Sequence, residues 1–453
     1  MKTFFRSMKM SILAAFALAG AAVLPNQPLH AAEPVQLRVE LDRGVLSSAA
    51  KETAVVKISL AGLHIERPEM RPPVNLALVI DRSGSMGGEK IEQARTAAIE
   101  AVRRLSGDDI VSVVAFDDKV KTLVPATRAA AQRDKIERAI QRIEDGGNTA
   151  LYAGVVEGAR QLRENLGKSG YTHRVILLSD GQANVGPSSA DKLGKLGAKL
   201  AGERIAVSTI GLGLGYDEDL MARLALKSEG NTYFAKNAAA LSDIFRTELG
   251  DVLNVVAREV KIIIRFPDGV RPLRFIGREG AIRGQNAELT IGQIYGGQEK
   301  FALVEAEVST AKDGESREIA AVSATFEDAR TQEKFTQNAA ARVRFSADKA
   351  AVVQSANHKV QADYAEAAVA AAKDEAIKFS DAGQQDAAAA RLRKTVDTMQ
   401  KLGETYGNDA VVEISKENAA LATQIKRDGI DNAQRKTLRA SSTQTVNQQG
   451  KKK

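Results

Sequence analysis

The stretch Leu76-Ala77-Leu78-Val79-Ile80-Asp81-Arg82-Ser83-Gly84-Ser85-Met86-Gly87 decides the fold. Residues 76 to 80 are apolar without alternation, which predicts a strand buried on both faces, as in a parallel sheet. A glycine-rich loop follows, and then a helix carrying Ile91, Ala94, Ala98, Val102 and Leu105 on one side. Asp81, Ser83 and Ser85 offer side-chain oxygens at every second position, at the carboxyl end of a strand, where doubly wound sheets bind ligands. Taken alone, the same residues serve equally as a turn and a helix cap.

Working downstream, strands and helices keep alternating: strand Ile110 to Phe116, a hairpin through Asp117-Asp118 to Val124, and helices Ala129 to Ile143 and Leu151 to Leu166. Strand Arg174 to Ser179, helix Ser188 to Ala201, strand Ile205 to Gly211, helix Asp217 to Leu226, strand Thr232 to Ala235 and helix Ala239 to Val252 complete the series. This order predicts an α/β domain over 74–253, a doubly wound and mostly parallel sheet with helices on both faces.

Upstream, Val35, Leu37, Val39 and Leu41 alternate with polar residues, as do Ala54, Val56, Ile58 and Leu60. Two such strands cannot stand alone. From Val260, Ile262, Ile264 and Phe266 a second run of strands lasts to Phe345, broken by turn signals at Pro267-Asp268-Gly269, Gly296-Gly297 and Asp313-Gly314. A β-sandwich over 254–346 is the expectation. Segment 33–73 then completes it, which makes the α/β domain an insertion. Residues 347–427, rich in Ala, Lys, Glu and Gln with breaks at 380–383 and 403–408, predict three closely packed helices.

Both ends carry charge of their own kind. Lys2, Arg6 and Lys9, the apolar run Ile12 to Leu24 and the small residues Ala31 and Ala32 form the pattern of a cleavable signal peptide over 1–32. Its apolar run is too short to span a bilayer, and no later stretch is apolar enough to do so. With no cysteine in the chain, neither a lipid-modified cysteine nor a disulfide is available. The expectation is a soluble protein of the periplasm or the medium. From Ile425 onward eight Lys or Arg face only Asp428 and Asp431, so most of the net charge of +7 belongs to the two ends. The basic balance therefore describes a tail rather than a nucleic-acid-binding fold. Residues 428–453 read as a solvated, disordered end.

Two further loops join the first. Gly146-Gly147-Asn148-Thr149-Ala150-Leu151 opens a helix, and Asp180 in Leu178-Ser179-Asp180-Gly181 follows a buried strand. Singly, Thr149 is a helix cap and Asp180 a turn residue. In a parallel sheet, however, all three loops share one edge. Together they resemble the von Willebrand factor type A domain and its metal-ion-dependent adhesion site, over roughly Val74 to Val252. The flanking strands resemble, more loosely, the surroundings of that domain in inter-alpha-trypsin inhibitor heavy chains and in bacterial proteins likened to calcium-activated chloride channel proteins.

The resemblance implies that Asp81, Ser83, Ser85, Thr149 and Asp180 hold a divalent cation. Mg²⁺ is the first expectation, with Mn²⁺ and Ca²⁺ as alternatives. It further implies adhesion or assembly through an acidic residue of a protein partner, and no enzymatic activity. The donor chemistry agrees, since Mg²⁺ takes hard oxygens at about 2.1 Å and keeps waters readily. Three neutral hydroxyls leave such an ion electron-poor and open to an external carboxylate.

Other chemistries lack their parts. A Ser-His-Asp hydrolase needs a histidine near Ser83 or Ser85, and His173 enters its strand at the opposite edge. Ser85 lacks the glycine two positions earlier that a nucleophile elbow requires. The glycines of Gly211-Leu212-Gly213-Leu214-Gly215 are too closely spaced for a dinucleotide fingerprint. A metal-dependent hydrolase is the alternative, but no general base is placed beside the cluster.

Overall fold

The computed structural model describes residues 33–64, 71–168 and 170–449. The expected signal peptide and the last four residues of the basic tail lie outside the described residues. The chain opens with β1 (Val35–Leu41), β2 (Val45–Ser47) and β3 (Glu52–Gly62). The α/β domain runs through β4 (Val74–Asp81), α1 (Glu89–Arg103), β5 (Ile110–Phe116), β6 (Val120–Arg128), α2 (Arg133–Gln141) and α3 (Leu151–Arg163). It continues with β7 (Thr172–Ser179), α4 (Ala190–Gly202), β8 (Ile205–Leu212), α5 (Glu218–Ser228), β9 (Thr232–Ala235) and α6 (Leu241–Val252).

This sheet has the order β6-β5-β4-β7-β8-β9, parallel except where β6 runs against β5. All eight residues of β4 are buried because helices cover both faces. Leu76, Leu78 and Ile80 pack with Ile91 and Ala98 of α1, Ile136 of α2 and Phe245 of α6. Ala77 and Val79 face the other way, into a core with Val155 of α3, Leu200 of α4 and Leu224 of α5. That double burial is why the strand shows no alternation. β5 lies on one side of β4 and β7 on the other, so the carboxyl ends of β4 and β7 flank the topological switch point.

The second strand series is β10 (Val255–Arg265), β11 (Val270–Ile276), β12 (Ala281–Arg283), β13 (Asn286–Tyr295), β14 (Glu299–Val308), β15 (Ser316–Asp328) and β16 (Lys334–Ser346). It forms two sheets, β1-β3-β14-β11 and β12-β13-β10-β15-β16-β2. The N-terminal strands are part of both. β3 lies between β1 and β14, pairing Ala61 with Glu299 and Glu52 with Val308, while β2 extends the second sheet beside β16. Val56, Ile58 and Leu60 share one core with Ile262, Ile264, Val322 and Ala324. The α/β domain is thus inserted into a sandwich that starts before it and ends after it.

Helices α7 (Lys349–Gln354), α8 (His358–Asp381), α9 (Gln385–Tyr406) and α10 (Asp409–Asp428) follow. Ala365, Ala372, Ala376, Ala388 and Leu392 form the alanine-rich core of α8, α9 and α10. Among the described residues no helix is long and apolar enough to cross a membrane.

The expectation of a disordered tail from residue 428 is overturned by α11 (Asn432–Val446). Its basic residues Arg435, Lys436 and Arg439 lie within about one turn and meet acids from two other elements. Arg435 pairs with Glu218, Asp219 and Asp381, Lys436 with Glu218, and Arg439 with Asp219 and Asp374. Lys436 is buried and also donates to Tyr216 O at 2.8 Å. At its far end, Gln444 Nε2 donates to Thr232 O and Thr232 N donates to Gln449 Oε1. The edge strand β9 is thereby capped by side-chain amides instead of another strand.

Candidate metal centre

Three loops at the carboxyl edge of the parallel sheet are bonded to one another through their backbones. Gly84 N donates to Gly147 O at 3.0 Å, Gly146 N to Arg82 O at 2.8 Å and Ala150 N to Asp117 O at 2.8 Å. Thr149 is held from the third loop, its N–H donating to Asn184 Oδ1 and its carbonyl accepting from Asn184 N and Val185 N. Gly147 has φ +77°, so a residue with a side chain would be strained there.

These ties bring the expected side chains together. Asp81 ends β4 and is wholly buried; its Oδ1 accepts Ser83 N at 2.8 Å and its Oδ2 accepts Ser179 Oγ. Ser83 Oγ and Ser85 Oγ stand 3.2 Å apart, and Ser85 Oγ donates to Asp180 Oδ1 at 2.7 Å. A β-carbon built on Gly181 would lie 3.0 Å from Thr149 Oγ1, 3.4 Å from Ser85 Oγ and 3.7 Å from Ser83 Oγ. Three hydroxyls therefore converge on a space that exists only because residue 181 has no side chain. Asp81, Ser83, Thr149 and Asp180 are buried while Ser85 is exposed, so the cluster opens to the surface on the Ser85 side.

Burial dominates the electrostatics at the floor of the cluster. Burial pushes the Asp81 carboxyl up to about 6, the hydrogen bonds from Ser179 and Ser83 oppose this, and the nearby Asp180 charge adds to it. Asp180 has a cationic neighbour that the sequence reading missed: Lys90 Nζ pairs with Asp180 Oδ2 and donates to Ser85 O at 3.0 Å. Ser179 and Asn184 were also missed. Ser179 was legible in principle as the last residue of its strand beside Asp180, whereas Lys90 and Asn184 become partners only through the fold.

The donor set fits a divalent cation: two carboxylates and three hydroxyls, all hard oxygens, around a cradle that a single methyl group would fill. Among the described residues no group of three or more His, Cys, Asp or Glu side chains is gathered as a cation site. His173 stands at the other end of β7, with Nδ1 3.1 Å from Asn75 Nδ2, far along the strand from Asp180.

Fold and cluster define the class as a Rossmann-like α/β domain, inserted in a β-sandwich, with an oxygen-rich cluster at its switch point. Residues 75–247 match the von Willebrand factor type A domain, and the chain carries such a domain. Domains of this type typically mediate metal-dependent protein–protein interaction.

The chain is 26% identical over 273 residues to the uncharacterized protein sll0103 of Synechocystis, covering 58% of this chain and 64% of that protein. It is 30% identical over 178 residues to inter-alpha-trypsin inhibitor heavy chain H3 of Mesocricetus auratus, covering 37% of this chain and 20% of that protein. The matches thus span less than two thirds of these relatives' lengths. Two solved structures share the fold. A von Willebrand factor type A protein from Catenulispora acidiphila superposes with a TM-score of 0.65 at 18% identity, over 85% of this chain and 90% of that one. The ArnB paralog VWA2 from Sulfolobus acidocaldarius gives 0.58 at 15% identity, over 91% and 98%.

Proposed function

We propose that this protein is a non-enzymatic interaction module that binds a divalent cation through Asp81, Ser83, Ser85, Thr149 and Asp180 and uses it to grasp a carboxylate on a protein partner. The observation that carries this reading is the convergence of three hydroxyls on the cradle at Gly181, one of them, the exposed Ser85, hydrogen-bonded to the Asp180 carboxylate. A bound ion would supply Lewis-acid attraction for hard anionic oxygen. The chain's own residues do the rest. Asp81, fixed by Ser83 N and Ser179 Oγ, brings negative charge to the floor. Thr149 is locked in place by Asn184. The hydroxyls of Ser83 and Ser85 add donors without adding charge, so the site stays attractive to an anion.

The protein is proposed to act outside the inner membrane after removal of residues 1–32. Mass spectrometry of the protein recovered from its native host tests that point, and an intact Met1 terminus would refute it.

Calorimetry with Mg²⁺ tests the site. The native protein should bind the ion, and the Ser83→Ala/Ser85→Ala variant should lose binding while keeping a native circular dichroism spectrum. Equal binding by both would place the ion elsewhere.

A further inference from the structure

Lys90 stands in the first turn of α1, at the helix end whose dipole disfavours a cation. Helix stability therefore does not account for it. Its ammonium is instead spent on the oxygen cluster, pairing with Asp180 Oδ2 and donating to the Ser85 carbonyl. Since Ser85 Oγ donates to Asp180 Oδ1, both oxygens of this buried carboxylate are engaged from within the protein. The Lys90 side chain is itself 39% exposed, so its flexible stem has room to turn the charge towards solvent. Arg82, on the other side of the loop, is occupied differently: it pairs with Asp117 and donates to Glu144 O.

We infer that Lys90 is a tethered counter-cation that sets the ion affinity of the site. It neutralises Asp180 when no ion is bound and opposes ion entry by charge repulsion. Once Asp180 turns to an ion, the ammonium is released at the rim, where it favours an anionic partner. This rests on the metal-binding reading above. Two like charges a few ångströms apart in a partly buried setting interact strongly enough to change affinity on the order of tenfold.

The test uses the full chain with Mg²⁺ as the probe, comparing native protein with Lys90→Gln, Lys90→Arg and Ser83→Ala/Ser85→Ala. Lys90→Gln should bind Mg²⁺ on the order of tenfold more tightly, and Lys90→Arg should stay near the native value. In chelator, Lys90→Gln should unfold at lower urea than the native protein, because Asp180 has lost its counter-charge, and Mg²⁺ should close that gap. Suppose the native protein binds Mg²⁺, the double serine variant does not, and Lys90→Gln binds equally or more weakly. The role of Lys90 is then overturned while the site stands. No Mg²⁺ binding by native protein and Lys90→Gln alike would overturn both. An unchanged urea midpoint for Lys90→Gln in chelator would independently refute the counter-cation.

Discussion

Arg174 and Glu248 meet with both side chains wholly buried, Nη1 lying 3.4 Å from Oε1. The pair joins β7 to α6, and Ser208 Oγ bridges it, accepting from Arg174 and donating to Glu248. Arg174 Nη2 reaches further, donating to Gln293 Oε1 at 2.6 Å and Tyr295 Oη at 2.7 Å in the sandwich. Glu248 also accepts from Asn231 and Tyr233. One guanidinium thus connects the α/β domain, its last helix and the sandwich. Glu248→Ala leaves that cation without its counter-charge and should cost about 3–5 kcal/mol, measured as a shift in the urea unfolding midpoint.

His173 should give the protein an acid-sensitive component of stability. Burial lowers its pKa to about 4, and the charges of Arg204 and Arg258 add to the effect. Between pH 4 and 6.5 the folded state then binds fewer protons at this site than the unfolded chain. The contribution is fully present above pH 6.5 and is lost as pH falls towards 4, amounting to about 3 kcal/mol. In urea titrations at pH 7 and pH 4, His173→Gln should lose less stability than the native protein by about that amount.

Gly181→Ala should act on the site alone. The added methyl comes within 3.0 Å of Thr149 Oγ1 and 3.4 Å of Ser85 Oγ, so it fills the space on which the hydroxyls converge. Mg²⁺ affinity should fall at least tenfold by calorimetry, with stability changed by less than about 1 kcal/mol, as for a substitution outside the core. Unchanged affinity would mean that the hydroxyls do not share one ligand.

The α11 clasp should be essential to the edge of the parallel sheet. Lys436→Ala removes one of the two cations that pair with the buried Glu218, Arg435 remaining, and should cost about 1.5–3 kcal/mol. Asn447→Ala removes the amide that donates to Gly230 O at 3.1 Å. Hydrogen exchange in residues 230–235 should then quicken while β4 stays protected, since the latter lies in the middle of the sheet.

The α/β domain was legible because burial on both faces leaves a mark that does not depend on partners: Leu76 to Ile80 and Arg174 to Ser179 end at the same edge, so three separated loops could be assigned to one place. That β1 and β3 complete the later sandwich was legible for a related reason, since a half-apolar strand must cover one face. The basic tail was misread. Arg435, Lys436 and Arg439 look like a solvated charge run until the fold brings Glu218, Asp219 and Asp374 against them, and nothing in local spacing announces acids so distant in the chain. Lys90 was hidden in the same way, because an ion pair between a helix start and another strand's loop has no periodicity of its own.

The interrupted sandwich has a consequence for how the chain reaches its native state. β3 finds its neighbour β14 only after the whole α/β domain has been made. Until then a two-stranded ribbon with one apolar face waits without cover, and such long-range closure is slow and prone to aggregation. The inserted domain carries most of its contacts within itself, so its early collapse would shorten the effective loop between β3 and β10 and bring the two parts of the sandwich within reach. A lesion in the α/β core should therefore be felt first as a delay in completing the sandwich around it.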